Sequence, residues 1–189
     1  MQNIHFLIVR IILAALLAPC AIARADEPSA NANPLSAHNK FVYSVVKPML
    51  LRSAEKMSEE QYAFKPVDTV RSFGEIIGHV ADSQYYFCSV ALGAKNPAPK
   101  IEKTKKTKAE LIAALNEAFV YCDKAYDTLT DAQAAELTAM MGAKTPKLFV
   151  LTTNVTHMIE HYGNLVTYMR MNNIVPPTSE PGFLGQFKK

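Results

Sequence analysis

The histidines of this chain are few, and two of them stand at helical spacing. The chain has 5 histidines in 189 residues: His5, His38, His79, His157 and His161. His157 and His161 are four residues apart, so on one helix their rings share a face, about 6 Å apart, and can bind one metal ion. His79, on another helix, would complete a three-nitrogen site. Three protein ligands with one open position are typical of catalytic zinc, because water or a substrate can occupy the fourth position.

A histidine pair at this spacing also occurs without a metal. Each ring can instead be a hydrogen-bonded residue at the edge of the core, and a histidine such as His79 is more often of that kind than a ligand. Residues 157–161 also match H-x-x-E-H, the pattern of the inverzincin peptidases. We set the peptidase interpretation aside because those enzymes need a further acidic ligand downstream. Glu180, in a proline-rich tail, is the only acid after His161.

Two capping boxes predict the helices at the centre of the chain. Ser72 is followed three residues later by Glu75, which predicts the start of a second helix that ends at Gly93. His79 lies within this helix, at the flank of its apolar stripe. A second capping box, Thr107-x-x-Glu110, predicts a third helix that ends near residue 129. The lysine-rich segment between them, residues 94–106, is predicted to be a solvated loop.

Two further helices complete a four-helix pattern. Apolar residues at three-and-four spacing predict a first helix over residues 36–57. The fourth begins with Thr145 as its cap and Pro146 at its first position, and it runs to about Met171. Residues 131–141 are ambiguous and can form a short helix, and no segment alternates like a strand. We therefore predict an all-α four-helix bundle with a short extended C-terminal tail.

Residues 1–25 are predicted to be a secretory signal peptide. Arg10 precedes an apolar run over residues 11–18, and the small-residue site 23–25 (ARA) follows it. The run is too short for a membrane helix, which takes about 20 apolar residues, and Pro19 disfavours lipidation at Cys20. We expect cleavage after residue 25, a flexible leader over residues 26–35, and a periplasmic or secreted protein with no membrane attachment.

The charge of the chain is close to balance. Lys and Arg number 20, and Asp and Glu number 17, for a formal net charge of +3. Cleavage would remove Arg10 and Arg24, so the mature chain is nearly neutral and lacks the basic surplus that nucleic-acid binding needs. Of 3 cysteines only Cys88 and Cys122 would remain. They exclude a dense disulfide scaffold but allow one disulfide in an oxidising compartment.

Two stretches carry a more specific signal. They are residues 78–84 (GHVADSQ) and residues 157–170 (HMIEHYGNLVTYMR), which continue to Pro176-Pro177. Together with residues 64–66 (FKP) and the helix start at Ser72, they resemble the DinB-like family of damage-inducible proteins, which is unrelated to the DNA polymerase of similar name. The resemblance covers about residues 36–177 and leaves residues 178–189 as a tail.

The resemblance implies a bundle with a non-sequential helix order and a divalent metal ion, zinc or nickel, held by His79, His157 and His161. Relatives include thiol S-transferases that use bacillithiol or mycothiol and a maleylpyruvate isomerase, and other members are regarded as metal-dependent hydrolases. Those thiols are cytoplasmic reductants, so an export signal favours the hydrolase over the transferase. The resemblance also implies that a homodimer can form through a bundle face.

Two groups of residues near these histidines complete the expectations. Asp82, Asn154 and Tyr168 are candidates to orient a water molecule or a ligand at the metal. If the second and third helices are parallel, as the resemblance implies, Cys88 and Cys122 can reach the same height and form a disulfide, or remain two buried thiols. We expect an exported metal-binding bundle that hydrolyses or otherwise transforms a small molecule. The alternative is a non-catalytic metal-binding or structural bundle.

Overall fold

Six α-helices and one β-hairpin form the part of the chain that the computed structural model describes, residues 32–187. The predicted signal peptide and most of the leader lie outside these residues. The helices are α1 Pro34–Lys56, α2 Phe73–Leu92, α3 Ile101–Thr104, α4 Lys108–Thr128, α5 Asp131–Ala134 and α6 Lys147–Met171, and the strands are β1 Leu137–Met140 and β2 Ala143–Pro146. Single 3₁₀ turns cover Glu60–Ala63, Pro177–Ser179 and Leu184–Phe187. Among the described helices, none is long and apolar enough to cross a membrane.

The predicted capping boxes set the starts of α2 and α4. At α2 the Glu75 backbone N–H donates to the Ser72 hydroxyl, and the Ser72 N–H donates to the Glu75 carboxylate at 2.7 Å. Thr107 and Glu110 make the same reciprocal pair at α4. Because each box satisfies backbone donors that the helix itself leaves free, the starts of these two helices are fixed by local sequence.

The four long helices pack in the cyclic order α1, α4, α2, α6. Helices α2 and α6 are antiparallel, since His79 faces His157 while Gln84 faces Asn154. Helices α2 and α4 are parallel, and residues 93–107 therefore return along the length of the bundle. We call these residues the return segment. This is the non-sequential helix order that the resemblance implies.

The buried face of α6 does not include every apolar residue of the helix. Ile159 is apolar, but 48% of it is exposed. Asn154, Met158 and Leu165, which share a face with the histidines, are fully buried. The reason is that α6 packs against both α1 and α2, so the face that carries the histidines is the centre of its buried surface.

The sequence prediction was wrong for the region before α6. In place of a helix over residues 131–141, α5 ends at Ala134 and an antiparallel hairpin follows. Met141 and Gly142, with φ of 51° and 82°, make the turn, and positive φ at both central residues is typical of tight hairpins. Thr145 pairs with Thr138 in this hairpin and is not a helix cap. The strands expose most of their side chains, so alternation gives no signal.

The C-terminal tail is not extended as predicted. It forms two 3₁₀ turns, and Phe183 is buried with only 3% of its surface exposed. The Glu180 carboxylate pairs with the Lys56 ammonium group near the end of α1, and the Tyr162 hydroxyl lies 2.8 Å from that of Thr178. The tail therefore packs against the bundle. The structure also starts α1 at Pro34, two residues before the predicted domain boundary.

A buried amide pair fixes the register of α2 against α6. Gln84 and Asn154 are both fully buried. The Gln84 side-chain amide donates to the Asn154 oxygen at 3.0 Å, and Asn154 donates to the Gln84 oxygen at 2.9 Å. A one-turn slip of either helix would break both bonds and leave polar groups unsatisfied in the core. The pair lies one to two turns from the histidines on each helix and so holds them opposite one another.

We predict that replacing one member of this pair destabilises the fold strongly, and that replacing both costs less than the two single replacements added together. Asn154→Leu or Gln84→Met should each lower the free energy of unfolding by about 1–3 kcal/mol, because the remaining amide is buried without its partner. The double variant should lose clearly less than the sum of the two single losses. Urea denaturation of the three variants measures this, and strictly additive losses would contradict it.

Candidate metal centre

Three imidazole rings converge between α2 and α6. The Nε2 atom of His157 lies 3.1 Å from that of His79 and 3.1 Å from that of His161. All the candidate ligand atoms lie within 4.8 Å of one another. The structure thus brings together the three residues that the sequence analysis selected as metal ligands. His38, the other histidine of the described chain, is exposed on α1 and is not part of this cluster.

The arrangement fits a divalent metal ion. Tetrahedral ligands about 2.0–2.1 Å from zinc lie about 3.3 Å from each other, close to the 3.1 Å that separates Nε2 of His157 from each of the other two. The Nε2 atoms face one another, and which ring donates at each contact depends on its tautomer, while the buried Nδ1 atoms of His157 and His161 have no hydrogen-bond partner. A neutral imidazole that carries its proton on Nδ1 offers a lone pair at Nε2, the form that binds a metal.

Burial keeps the rings neutral. Loss of solvent, together with the neighbouring imidazoles, lowers the pKa of His157 to about 4 and that of His161 to about 3. The pKa of His79 is lowered as well, mainly by burial and then by the positive charge of Arg71, although the carboxylate of Glu102 opposes the shift. Near neutral pH the three rings are therefore already neutral and can bind a cation without first losing a proton.

The return segment adds a carboxylate to the site. Glu102 places Oε2 3.3 Å from Nδ1 of His79, and its Oε1 accepts a hydrogen bond from Nε of Arg71 at 2.8 Å. The carboxylate of Asp82 accepts from the backbone N–H groups of Ile101 and Glu102, at 2.7 and 3.0 Å. Asp82 thus holds the segment that carries Glu102.

An open cavity of about 670 Å³ borders the cluster. His161 forms part of its wall, together with Tyr168 and with the exposed residues Glu160 and Asn164 of α6. Arg71 and Glu102 also line it, together with residues of the loop before α2. The cavity gives a small molecule a route to the imidazoles, and its lining is largely polar and charged.

Of the three predicted orienting residues, one lines this cavity. Tyr168 does so, but its hydroxyl donates to the backbone carbonyl of Arg71 at 2.9 Å. The structure places Asn154 in the buried amide pair and Asp82 under the return segment. Glu102 was missed because the lysine-rich loop has no helical pattern to indicate which side chain turns inward. Arg71 was missed because it lies in the loop before α2, which has no such pattern either.

Cys88 of α2 and Cys122 of α4 are joined as a disulfide, with Cα atoms 5.2 Å apart. Both residues are fully buried, and the side-chain amide of Asn154 lies 3.5 Å from the Cys122 sulfur. The bond connects two parallel helices, and Cys88 lies nine residues beyond His79 on α2, about two and a half turns. It is a structural link at this height of the bundle and faces no cavity of the candidate site.

The fold and the histidine cluster together define a helical bundle with a candidate metal centre. The chain belongs to the DinB superfamily, whose sequence model matches residues 44–165. It is 31% identical over 123 residues to the uncharacterized protein YjoA of Bacillus subtilis (strain 168), an alignment that covers 62% of this chain and 77% of YjoA.

Two solved structures share the fold. A DinB-like protein from Bacillus cereus ATCC 10987 matches with a TM-score of 0.64 at 13% identity, over 71% of this chain and 91% of the other. The structure of YjoA from Bacillus subtilis matches with a TM-score of 0.58 at 23% identity, over 75% and 92%. These likenesses support the helix order found here.

We predict that the metal-free chain loses stability as the pH falls from about 6.5 toward 4. The folded state holds the pKa values of His157 and His161 below the ordinary value of 6.5, so the unfolded chain takes up protons first. The stabilisation is complete above pH 6.5 and declines below it. Urea unfolding at several pH values gives the free energy of unfolding as a function of pH, and the slope of that plot measures the protons taken up on unfolding. His161→Gln should lower this slope by the equivalent of up to one proton, whereas His38→Gln should match the wild type.

Proposed function

We propose that this chain is an exported metalloprotein that binds one divalent ion through His79, His157 and His161 and uses it to hydrolyse, or otherwise transform, a small molecule. The observation that carries the proposal is the convergence of three Nε2 atoms beside an open cavity. Imidazole ligands suit zinc and nickel, and three protein ligands leave a coordination position free for a reacting group.

The chain's own residues support a binding role for the cavity. A bound ion would act as a Lewis acid that polarises a substrate bond or activates a nucleophile. Glu160 and Asn164 offer an exposed carboxylate and an amide that can bind or orient a polar substrate. The Arg71–Glu102 ion pair adds a charged part to the lining of the cavity. Such a lining suits a polar small molecule rather than an apolar ligand.

Export is the second part of the proposal. The signal-peptide pattern of residues 1–25 supports it, and so does the disulfide between Cys88 and Cys122, since such bonds persist in oxidising compartments. An exported protein is separated from the cytoplasmic thiols that some relatives use. Hydrolysis therefore fits this chain better than thiol transfer.

Metal content tests the site. A chain that begins at Asp26 should bind one divalent ion. His79→Ala and His161→Ala should each weaken binding by more than about 100-fold. Replacing a residue that only hydrogen-bonds to a metal ligand typically lowers metal affinity about 10–100-fold, and loss of a ligand itself should lower it further. Competition with a chromophoric chelator measures the affinity, and His38→Ala is the matched control. Unchanged metal content in both ligand variants would refute the site.

Activity profiling separates an enzyme from a non-catalytic metal protein. The zinc- or nickel-loaded chain should hydrolyse a member of a broad ester, amide and phosphoester panel, and His161→Ala should abolish that turnover. A stoichiometric metal complex without turnover on any of these substrates, or on thiol-transfer substrates, would support the non-catalytic alternative.

The export proposal predicts a defined N-terminus. Full-length protein produced in a bacterium should be recovered outside the cytoplasm beginning at Asp26, because cleavage follows the ARA site of residues 23–25. After treatment with an alkylating reagent, the exported protein should carry no added group, because Cys88 and Cys122 form a disulfide. A chain that lacks residues 1–25 and stays in the cytoplasm should carry two. Edman sequencing and thiol alkylation measure both, and an intact N-terminus would contradict the proposal.

A further inference from the structure

We propose that Glu102 is a positioning residue for the metal centre: its carboxylate accepts a hydrogen bond from Nδ1–H of His79 and thereby directs Nε2 of that ring toward the ion. The inference rests on the proposed metal site and goes beyond it, because it assigns a function to the return segment. The segment lies outside the two helices that carry the imidazoles, and its sequence gives no sign of such a role.

The first support is the close seating of the return segment on α2. A Cβ atom on Gly78 would lie 2.7 Å from the Cα and 3.1 Å from the backbone nitrogen of Glu102. Any side chain there would push the segment away. Since Gly78 directly precedes His79, the glycine brings the backbone of Glu102 to the height of the imidazole.

The second support is the way Asp82 holds the segment. Both of its carboxylate oxygens are used, one by the N–H of Ile101 and one by the N–H of Glu102. Asp82 stands three residues after His79, nearly one turn along α2. It therefore acts on the imidazole through Glu102, and not by direct contact. The buried side chain of Ile101 adds an apolar attachment at the same point.

The third support is the division of contacts on the Glu102 carboxylate. One oxygen faces Nδ1 of His79 at 3.3 Å, and the other accepts from Nε of Arg71 at 2.8 Å. The carbonyl of Arg71 in turn accepts from the hydroxyl of Tyr168 on α6. The carboxylate is thus held from two sides, so that its orientation toward the imidazole is defined.

The three imidazoles differ in their need for such a contact. His161 is 8% exposed, and the Nδ1 atoms of both His157 and His161 are buried. The side chain of His79 is 25% exposed, so packing alone restricts its ring less than that of His161. Among the described residues, Glu102 is the only carboxylate that makes an ion-pair contact with any of the three rings. The orienting carboxylate thus contacts a ligand that packing restricts less than it restricts His161.

The tautomer of His79 tests the proposal without any metal. Long-range ¹H–¹⁵N correlation spectra of the metal-free chain near pH 7.5 should show His79 protonated on Nδ1. Glu102→Ala should lose this preference, and Glu102→Gln should largely keep it, because an amide oxygen also accepts a hydrogen bond. Glu160→Ala, which removes a carboxylate from the same cavity, is the matched control and should leave the His79 signals unchanged.

Metal affinity provides the second measurement. Glu102→Ala should weaken zinc binding by about 10–100-fold with an unchanged circular dichroism spectrum, and Glu102→Gln should recover part of the loss. Gly78→Ala, which displaces the segment while every ligand remains, should weaken binding similarly. Wild-type affinity in Glu102→Ala together with an unchanged His79 tautomer would overturn the proposal. A wild-type chain that binds no zinc would refute the metal site instead, while the tautomer still decides the role of Glu102.

Discussion

The structure depends on one electrostatic constraint, the burial of three imidazole nitrogens that face one another. In the tautomer that binds a metal, with each proton on Nδ1, the Nε2 lone pairs would lie about 3 Å apart and repel, and two of the Nδ1 atoms find no partner within residues 32–187. Those two Nδ1 atoms, of His157 and His161, are buried, so water cannot compensate them as it would at the surface. A shared cation would resolve the repulsion. Helices α2 and α6 hold the rings in this arrangement.

The bundle supplies that rigidity from several independent directions. The amide pair of Gln84 and Asn154 fixes the register of α2 and α6, which carry all three rings. The disulfide from Cys88 to Cys122 connects α2 to the parallel helix α4. Each device lies away from the open cavity, so stability and access are provided by different parts of the bundle. A site built on helices is held more precisely than a site built on loops.

Local signals made the long helices and the ligand set predictable. Capping boxes determine the starts of α2 and α4 through contacts within four residues, and the i, i+4 spacing of His157 and His161 follows from helix geometry alone. The hairpin before α6 was missed because only one of its eight strand residues, Met140, is buried, which leaves no alternating pattern. Glu102 was missed because its position depends on the close approach of two backbones at Gly78, which sequence spacing does not encode.

The parallel arrangement of α2 and α4 has a consequence for how the sequence can change. The return segment has to run back along a helix of 20 residues, about 30 Å, and an extended chain of its length can reach well beyond that. Its first half is mostly exposed and has length to spare, so insertions and substitutions before Lys100 can accumulate without moving the site. Ile101 and Glu102 have no such latitude, since a shift of one residue would replace the carboxylate beside the imidazole. Within one surface loop, freely variable positions thus lie next to positions tied to the candidate metal centre.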